Sequence, residues 1–129
     1  MEKTEEIKAN KLITPHFGLQ EFVCPCCDRI KIVPGFFQHV ELLERMRVEL
    51  GFPIMINSAY RCPEHNKAVG GAVKSWHLLF ATDIRPMDND KEKLLKMYKK
   101  ADELGFMGIG KYGTFIHCDL RPEKTRWLG

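Results

Sequence analysis

Hydrophobic and polar positions along this chain follow two periods. From Pro34 to Leu50, the residues Phe36, Val40, Leu43, Met46 and Leu50 recur at helical spacing, with Pro34 placed to open the helix and Gly51 to close it. A second helical stretch runs from about Asp90 to Leu104, with Asn89 or Asp90 as its cap and Gly105 as its stop. It turns Leu94, Leu95, Tyr98, Ala101 and Leu104 toward a core and leaves its lysines as a solvated face. Pro63 to Val69 reads as one or two helical turns ended by Gly70-Gly71, and Phe17 to Phe22 as a turn or short helix carrying Leu19 and Phe22 inward. Strands are expected at Ile54 to Ser58, after Pro53, and at Thr82-Asp83-Ile84. In Ile116 to Leu120 the alternation puts His117 and Asp119 on one face of a strand and Ile116, Cys118 and Leu120 on the other. Gly108 to Gly113 reads as a glycine-loosened strand and turn leading into it. The short connection favours antiparallel pairing, so the class expected is α+β, a small, mostly antiparallel sheet backed by helices.

The length of 129 residues suits one domain, read as 13–129 behind a flexible N-terminal arm over 1–12. Hydrophobic residues make up 44% and charged residues 29%, the balance of an ordinary globular protein. The net charge of +3 comes without a basic stripe, which argues against a nucleic-acid partner. No apolar run is long enough for membrane insertion, and a monomer is expected. Met1 to Lys8 is polar and lacks the apolar stretch of a secretory signal, so synthesis in the cytoplasm is expected.

Chemistry concentrates in two segments, Ser75 to Asp83 and Phe115 to Asp119. They hold two imidazoles and a carboxylate, His77, Asp83 and His117, a set that suits a catalytic zinc ion with its fourth position open. The glycines near Lys111 are not a phosphate loop, because no Gly-Lys-Ser/Thr opens a helix there. The five cysteines pose a separate question. Cys24 and Cys27 have C-x-x-C spacing and Cys62 and His65 C-x-x-H spacing, which together suit a closed structural zinc site. Two other readings stand beside it: a disulfide from the cluster to Cys62, or no shared role. Cys118, on the apolar face of its strand, is most simply a small buried hydrophobe.

From Phe17-Gly18-Leu19-Gln20-Glu21-Phe22 the motifs run through Ser58-Ala59-Tyr60-Arg61-Cys62-Pro63-Glu64-His65-Asn66 and Val69-Gly70-Gly71 to Ser75-Trp76-His77 and Asp83. They continue through Gly108-Ile109-Gly110-Lys111-Tyr112 and Phe115-Ile116-His117-Cys118-Asp119-Leu120-Arg121 to Arg126-Trp127. In this order they resemble the peptidase M15 family, the zinc D-Ala-D-Ala carboxypeptidases and phage-type peptidoglycan endopeptidases. The resemblance implies a fold shared with the hedgehog signalling domain and a Zn2+ cofactor held by His77, Asp83 and His117. It implies that Arg61 grips a substrate carboxylate or polarises the scissile carbonyl, with Ser75 as a further substrate-binding group. Peptidoglycan stem peptides are the implied partner. The implied place of action is the cell wall, reached after holin-type release or as a virion component, in the manner of an endolysin.

The chain departs from the family pattern twice. His77 and Asp83 stand one residue closer than usual, with Phe80 where a loop glycine is expected. Taken up within the strand, that deletion would turn Asp83 to the wrong face; taken up in the loop, it leaves Asp83 in place. Thr114 stands where many relatives carry an acidic general base. Asp119 is then the available carboxylate, either shuttling a proton or orienting His117 from behind. The function expected is a zinc metallopeptidase acting on peptidoglycan; the alternative is a non-catalytic binding or virion module on the same scaffold.

Overall fold

In the computed structural model, residues 12–30, 32–70 and 80–129 are described. The architecture is α+β; the described residues form a five-stranded mixed sheet, a two-stranded antiparallel sheet and three α-helices. The small sheet pairs β1 (Leu12–Thr14) with β2 (Phe17–Gly18), and a 3-10 turn, Leu19–Phe22, follows directly. The elements then run α1 (Phe36–Leu50), β3 (Ile54–Ser58), α2 (Pro63–Ala68), β4 (Ala81–Pro86), α3 (Lys91–Leu104), β5 (Gly108–Lys111), β6 (Ile116–Asp119) and β7 (Thr125–Leu128). Strand order in the large sheet is β3-β4-β6-β5-β7, antiparallel except for the β5–β7 pair. Among the described residues no helix is long and apolar enough to cross a membrane.

Local chemistry explains the helix ends. Asp90 caps α3 by accepting the Lys93 N–H at 3.0 Å, and Gly105 closes it at a φ of +97°, a left-handed conformation that glycine adopts without strain. Gly51 closes α1 in the same way. The helix begins two residues after Pro34, with Gly35 as its N-cap.

Helices α1 and α3 pack against each other, and α3 lies against β4, β5 and β6. Phe36, Val40, Leu43 and Met46 from α1 join Leu94, Met97 and Ala101 from α3, and Ile84, Ile109, Ile116 and Cys118 from the sheet, in one buried core. In α3 the buried stripe is Leu94, Met97 and Ala101, while Leu95 is 41% exposed, so the expected inward role of Leu95 is corrected. Cys118 is fully buried on the core side, and that burial pushes its thiol pKa well up. The core face also carries a polar pair, where the buried His39 Nε2 meets Thr82 Oγ1 at 2.9 Å.

Candidate active site

Alternation along β4 and β6 sends Thr82, Ile84, Ile116 and Cys118 into the core, leaving Asp83, His117 and Asp119 on the opposite face. Strand pairing then sets Asp83 directly across from His117, and Ala81 across from Asp119. Asp83 Oδ1 lies 3.1 Å from His117 Nδ1. On the far side of the ring, His117 Nε2 lies 2.7 Å from Asp119 Oδ2.

Asp119 is fully buried and heavily engaged. Its two oxygens accept from Arg121 Nε at 2.8 Å and Nη2 at 2.7 Å, and Oδ1 also takes the Arg121 backbone N–H at 3.0 Å. Burial alone would raise this carboxyl, but the Arg121 guanidinium and the His117 ring hold it well below the usual carboxylate range. Burial likewise works against a charged His117, yet the carboxylates of Asp119 and Asp83 outweigh it and raise the imidazole pKa above its ordinary value. The Arg121 guanidinium in turn lies 4.8 Å from the Trp127 ring centre, and that indole sits 5.2 Å from the His117 ring.

Two glycines of β5 make room for this assembly. A Cβ on Gly108 would come within 2.2 Å of Asp119 Oδ1, and one on Gly110 within 2.4 Å of Trp127 Cε2. Gly110 is across from His117 on one side and Trp127 on the other. What reads in the sequence as a loosened strand is a requirement of close approach.

Arg61 reaches the site from the segment between β3 and α2. Its Nε donates to Ser58 Oγ at 3.2 Å and its Nη1 to Asn66 Oδ1 at 3.2 Å. Its Nη2 faces Asp83 Oδ2 at 3.6 Å, an ion pair too long for a hydrogen bond. His77 and Ser75 lie outside the described residues. Arg121 and Trp127, which complete the site, are not among the candidate site residues; Arg121 pairs locally with Asp119 two positions before it, while Trp127 is brought in by the parallel β5–β7 pairing.

The donor set fits a divalent metal ion. Tetrahedral N/O ligation at about 2.0–2.1 Å separates two donors by about 3.3 Å, close to the 3.1 Å between Asp83 Oδ1 and His117 Nδ1. An imidazole whose other nitrogen is held by a carboxylate is the usual support for a metal-binding ring. A strand-borne imidazole and carboxylate backed in this way form an arrangement that metal-dependent hydrolases use. The family model described as Peptidase M15 matches residues 15–119, and the chain belongs to that family of metallopeptidases. A search of curated proteins found no match.

The cysteine thiols gather in a group that differs from the expected set. The thiols of Cys24, Cys26, Cys27 and Cys62 all lie within 4.8 Å of one another, so the fourth member is Cys26 and not His65. His65 meets the group through its backbone, whose N–H donates to Cys62 Sγ at 3.4 Å. All five cysteines are free thiols in this structure.

Proposed function

We propose that the protein is a zinc-dependent peptidase that hydrolyses the peptide part of peptidoglycan, at a bond involving a D-amino acid. The observation that carries the reading is the opposition of Asp83 and His117, at a spacing suited to one cation, on a family scaffold of peptidases. Asp83 Oδ1 and His117 Nδ1 would hold the ion, with His77 as the third ligand. Zinc, when bound, supplies Lewis-acid polarisation of the scissile carbonyl and activation of water at neutral pH.

The chain's own residues set the geometry around that chemistry. Asp119 fixes the tautomer of His117, accepting from Nε2 so that the Nδ1 lone pair faces Asp83. Its burial and bidentate pairing with Arg121 support this positioning role over proton transfer, since a carboxylate held so acidic is a weak base. Arg61 has two of its nitrogens tied to Ser58 and Asn66, which aims Nη2 at the site. There it can trade a loose ion pair for a substrate oxygen.

The test is digestion of purified peptidoglycan, and separately of the dipeptide D-Ala-D-Ala, with metal content measured in parallel. New peptide termini that vanish in Asp83→Ala support the reading. Stoichiometric zinc without new termini or cleaved dipeptide would point instead to a binding module on the same scaffold.

A further inference from the structure

The turn after the 3-10 helix gathers four sulfurs around one point. Cys24 N–H bonds to Arg29 O at 2.6 Å, while the backbone N–H groups of Cys27 and Asp28 both return to Cys24 O, at 3.3 and 2.8 Å. Asp28 takes a φ of +55°, which tightens the loop. The fourth sulfur comes from 38 positions away, since Cys62 is the N-cap of α2 and its own N–H donates to Cys24 Sγ at 3.4 Å.

Packing alone does not account for this grouping. Cys24 and Cys62 are buried, as small hydrophobes often are, but Cys26 is an exposed residue. Its sulfur nevertheless turns inward, to 3.5 Å from Cys24 Sγ and 3.2 Å from Cys62 Sγ. Those separations exceed a disulfide bond by more than 1 Å. They approach the edge of a thiolate tetrahedron, about 3.8 Å for Zn–S bonds of about 2.3 Å. Backbone N–H groups donating to Cys24 Sγ and Cys62 Sγ are what thiolate ligands need for their remaining lone pairs.

We infer that Cys24, Cys26, Cys27 and Cys62 form a closed tetrathiolate site for one zinc ion, distinct from the Asp83–His117 centre. Four sulfur donors leave no position for water or substrate, so this ion is structural. It ties the segment after Phe22 to the start of α2, one residue beyond Arg61. Soft thiolate ligands in a tetrahedron select zinc over the hard cations that carboxylates prefer. The site stands whether or not the protein cleaves peptidoglycan.

Metal analysis and cobalt substitution of the full chain test it. His117→Ala should keep one zinc per chain, and its cobalt form should keep the thiolate-to-cobalt charge-transfer absorption. Cys26→Ser, at the exposed member, should lose that absorption or weaken its zinc binding at least tenfold, whereas Cys118→Ala should change neither. On the unaltered protein, which removes any question of misfolded variants, chelation should make four further cysteines reactive to a thiol reagent. Cysteine reactivity indifferent to zinc would overturn the assignment. So would a purified chain whose mass shows two disulfides and no bound metal, or cobalt spectra without a thiolate band.

Discussion

Asp119→Asn separates a positioning role from proton transfer at the same residue. In the native site one oxygen of Asp119 serves His117 Nε2 and Arg121 Nη2 at 2.7 Å each, and the other serves Arg121 Nε and its backbone N–H. Asparagine keeps one acceptor and replaces the other with an NH2 group. Either orientation of that amide therefore points N–H at N–H, and Arg121 loses its countercharge. Removing one partner of a buried ion pair costs about 3–5 kcal/mol. The lower end applies here, because the Arg121 side chain retains 17% exposure and its place over Trp127. At about 2–8 °C per kcal/mol, the melting temperature of the metal-free variant should fall by roughly 10 °C. Zinc affinity at the Asp83–His117 centre should fall about 10–100-fold, or about 1.4–2.8 kcal/mol, through loss of the carboxylate behind the ring.

The assay is thermal unfolding together with competition for zinc against a chromophoric chelator, using chains whose cysteine site is already filled. The pH dependence adds a signed check. The Asp119 pKa is depressed in the folded state, so its contribution is present above the unfolded value of about 3.9 and is lost as pH falls toward the folded one. The variant should therefore show a shallower loss of stability on acidification. Wild-type zinc affinity combined with abolished turnover would refute the positioning argument and return Asp119 to proton transfer.

Gly110→Ala would drive a methyl group against an indole already anchored by Trp127 Nε1 donating to Tyr112 Oη at 2.9 Å. The expected loss is about 1–3 kcal/mol, read from the denaturant midpoint, and an unchanged midpoint would contradict the close approach. Phe80→Ala removes a ring whose centroid lies 4.8 Å from both Phe36 and His39 and 6.0 Å from Phe22. It should cost about 3–5 kcal/mol in equilibrium unfolding, and a loss under 1 kcal/mol would show that the ring is not part of the core. In metal-free protein the raised His117 pKa gives stability that is full below the unfolded value of about 6.5 and lost as pH rises through the folded value. His117→Gln should abolish that alkaline decline in chemical denaturation; an identical pH profile in the variant would count against the ion pairs.

Periodicity made α1 legible: Phe36, Val40, Leu43 and Met46 are buried at the expected spacing, even though Phe37 and Val48, also apolar, are exposed. It misassigned part of α3, where Leu94 and Leu95 are adjacent and both can begin a stripe; only packing against β4 to β6 selects Leu94, Met97 and Ala101. The strand β7, Thr-Arg-Trp-Leu, carries no alternation strong enough to read, and its parallel partner β5 is distant in the chain. In the site, Asp83 and His117 stood out by residue type, and alternation placed Asp119 beside His117. Trp127 and the space left by Gly108 depend on cross-strand register, which single residues do not announce, while Arg121, two positions after Asp119, was local but given no role by any motif. Cys26 was passed over because the C-x-x-C template steps across it, and only the folded turn brings its sulfur to the other three.

The one-residue shortening between His77 and Asp83 raises the question of what holds Asp83 on the site face. Loop length is a weak determinant of register, whereas a slip of one position inverts every side chain of a strand. In β4 and the residue before it, Phe80, Thr82 and Ile84 face the core, where Phe80 joins Phe22 and Phe36, Thr82 meets His39, and Ile84 is fully buried. A slipped strand would expose Phe80 and Ile84 and bury the Asp83 carboxylate among Ile109, Ile116 and Cys118. Exposing two large apolar side chains costs about 3–6 kcal/mol. Burying a carboxylate without partners adds several more. Against that, one residue of loop length changes closure entropy by far less than the roughly 0.6 kcal/mol of a doubling. The core therefore dictates the register. Phe80, buried against Phe22 and Phe36, acts as the anchor from which Asp83 is counted.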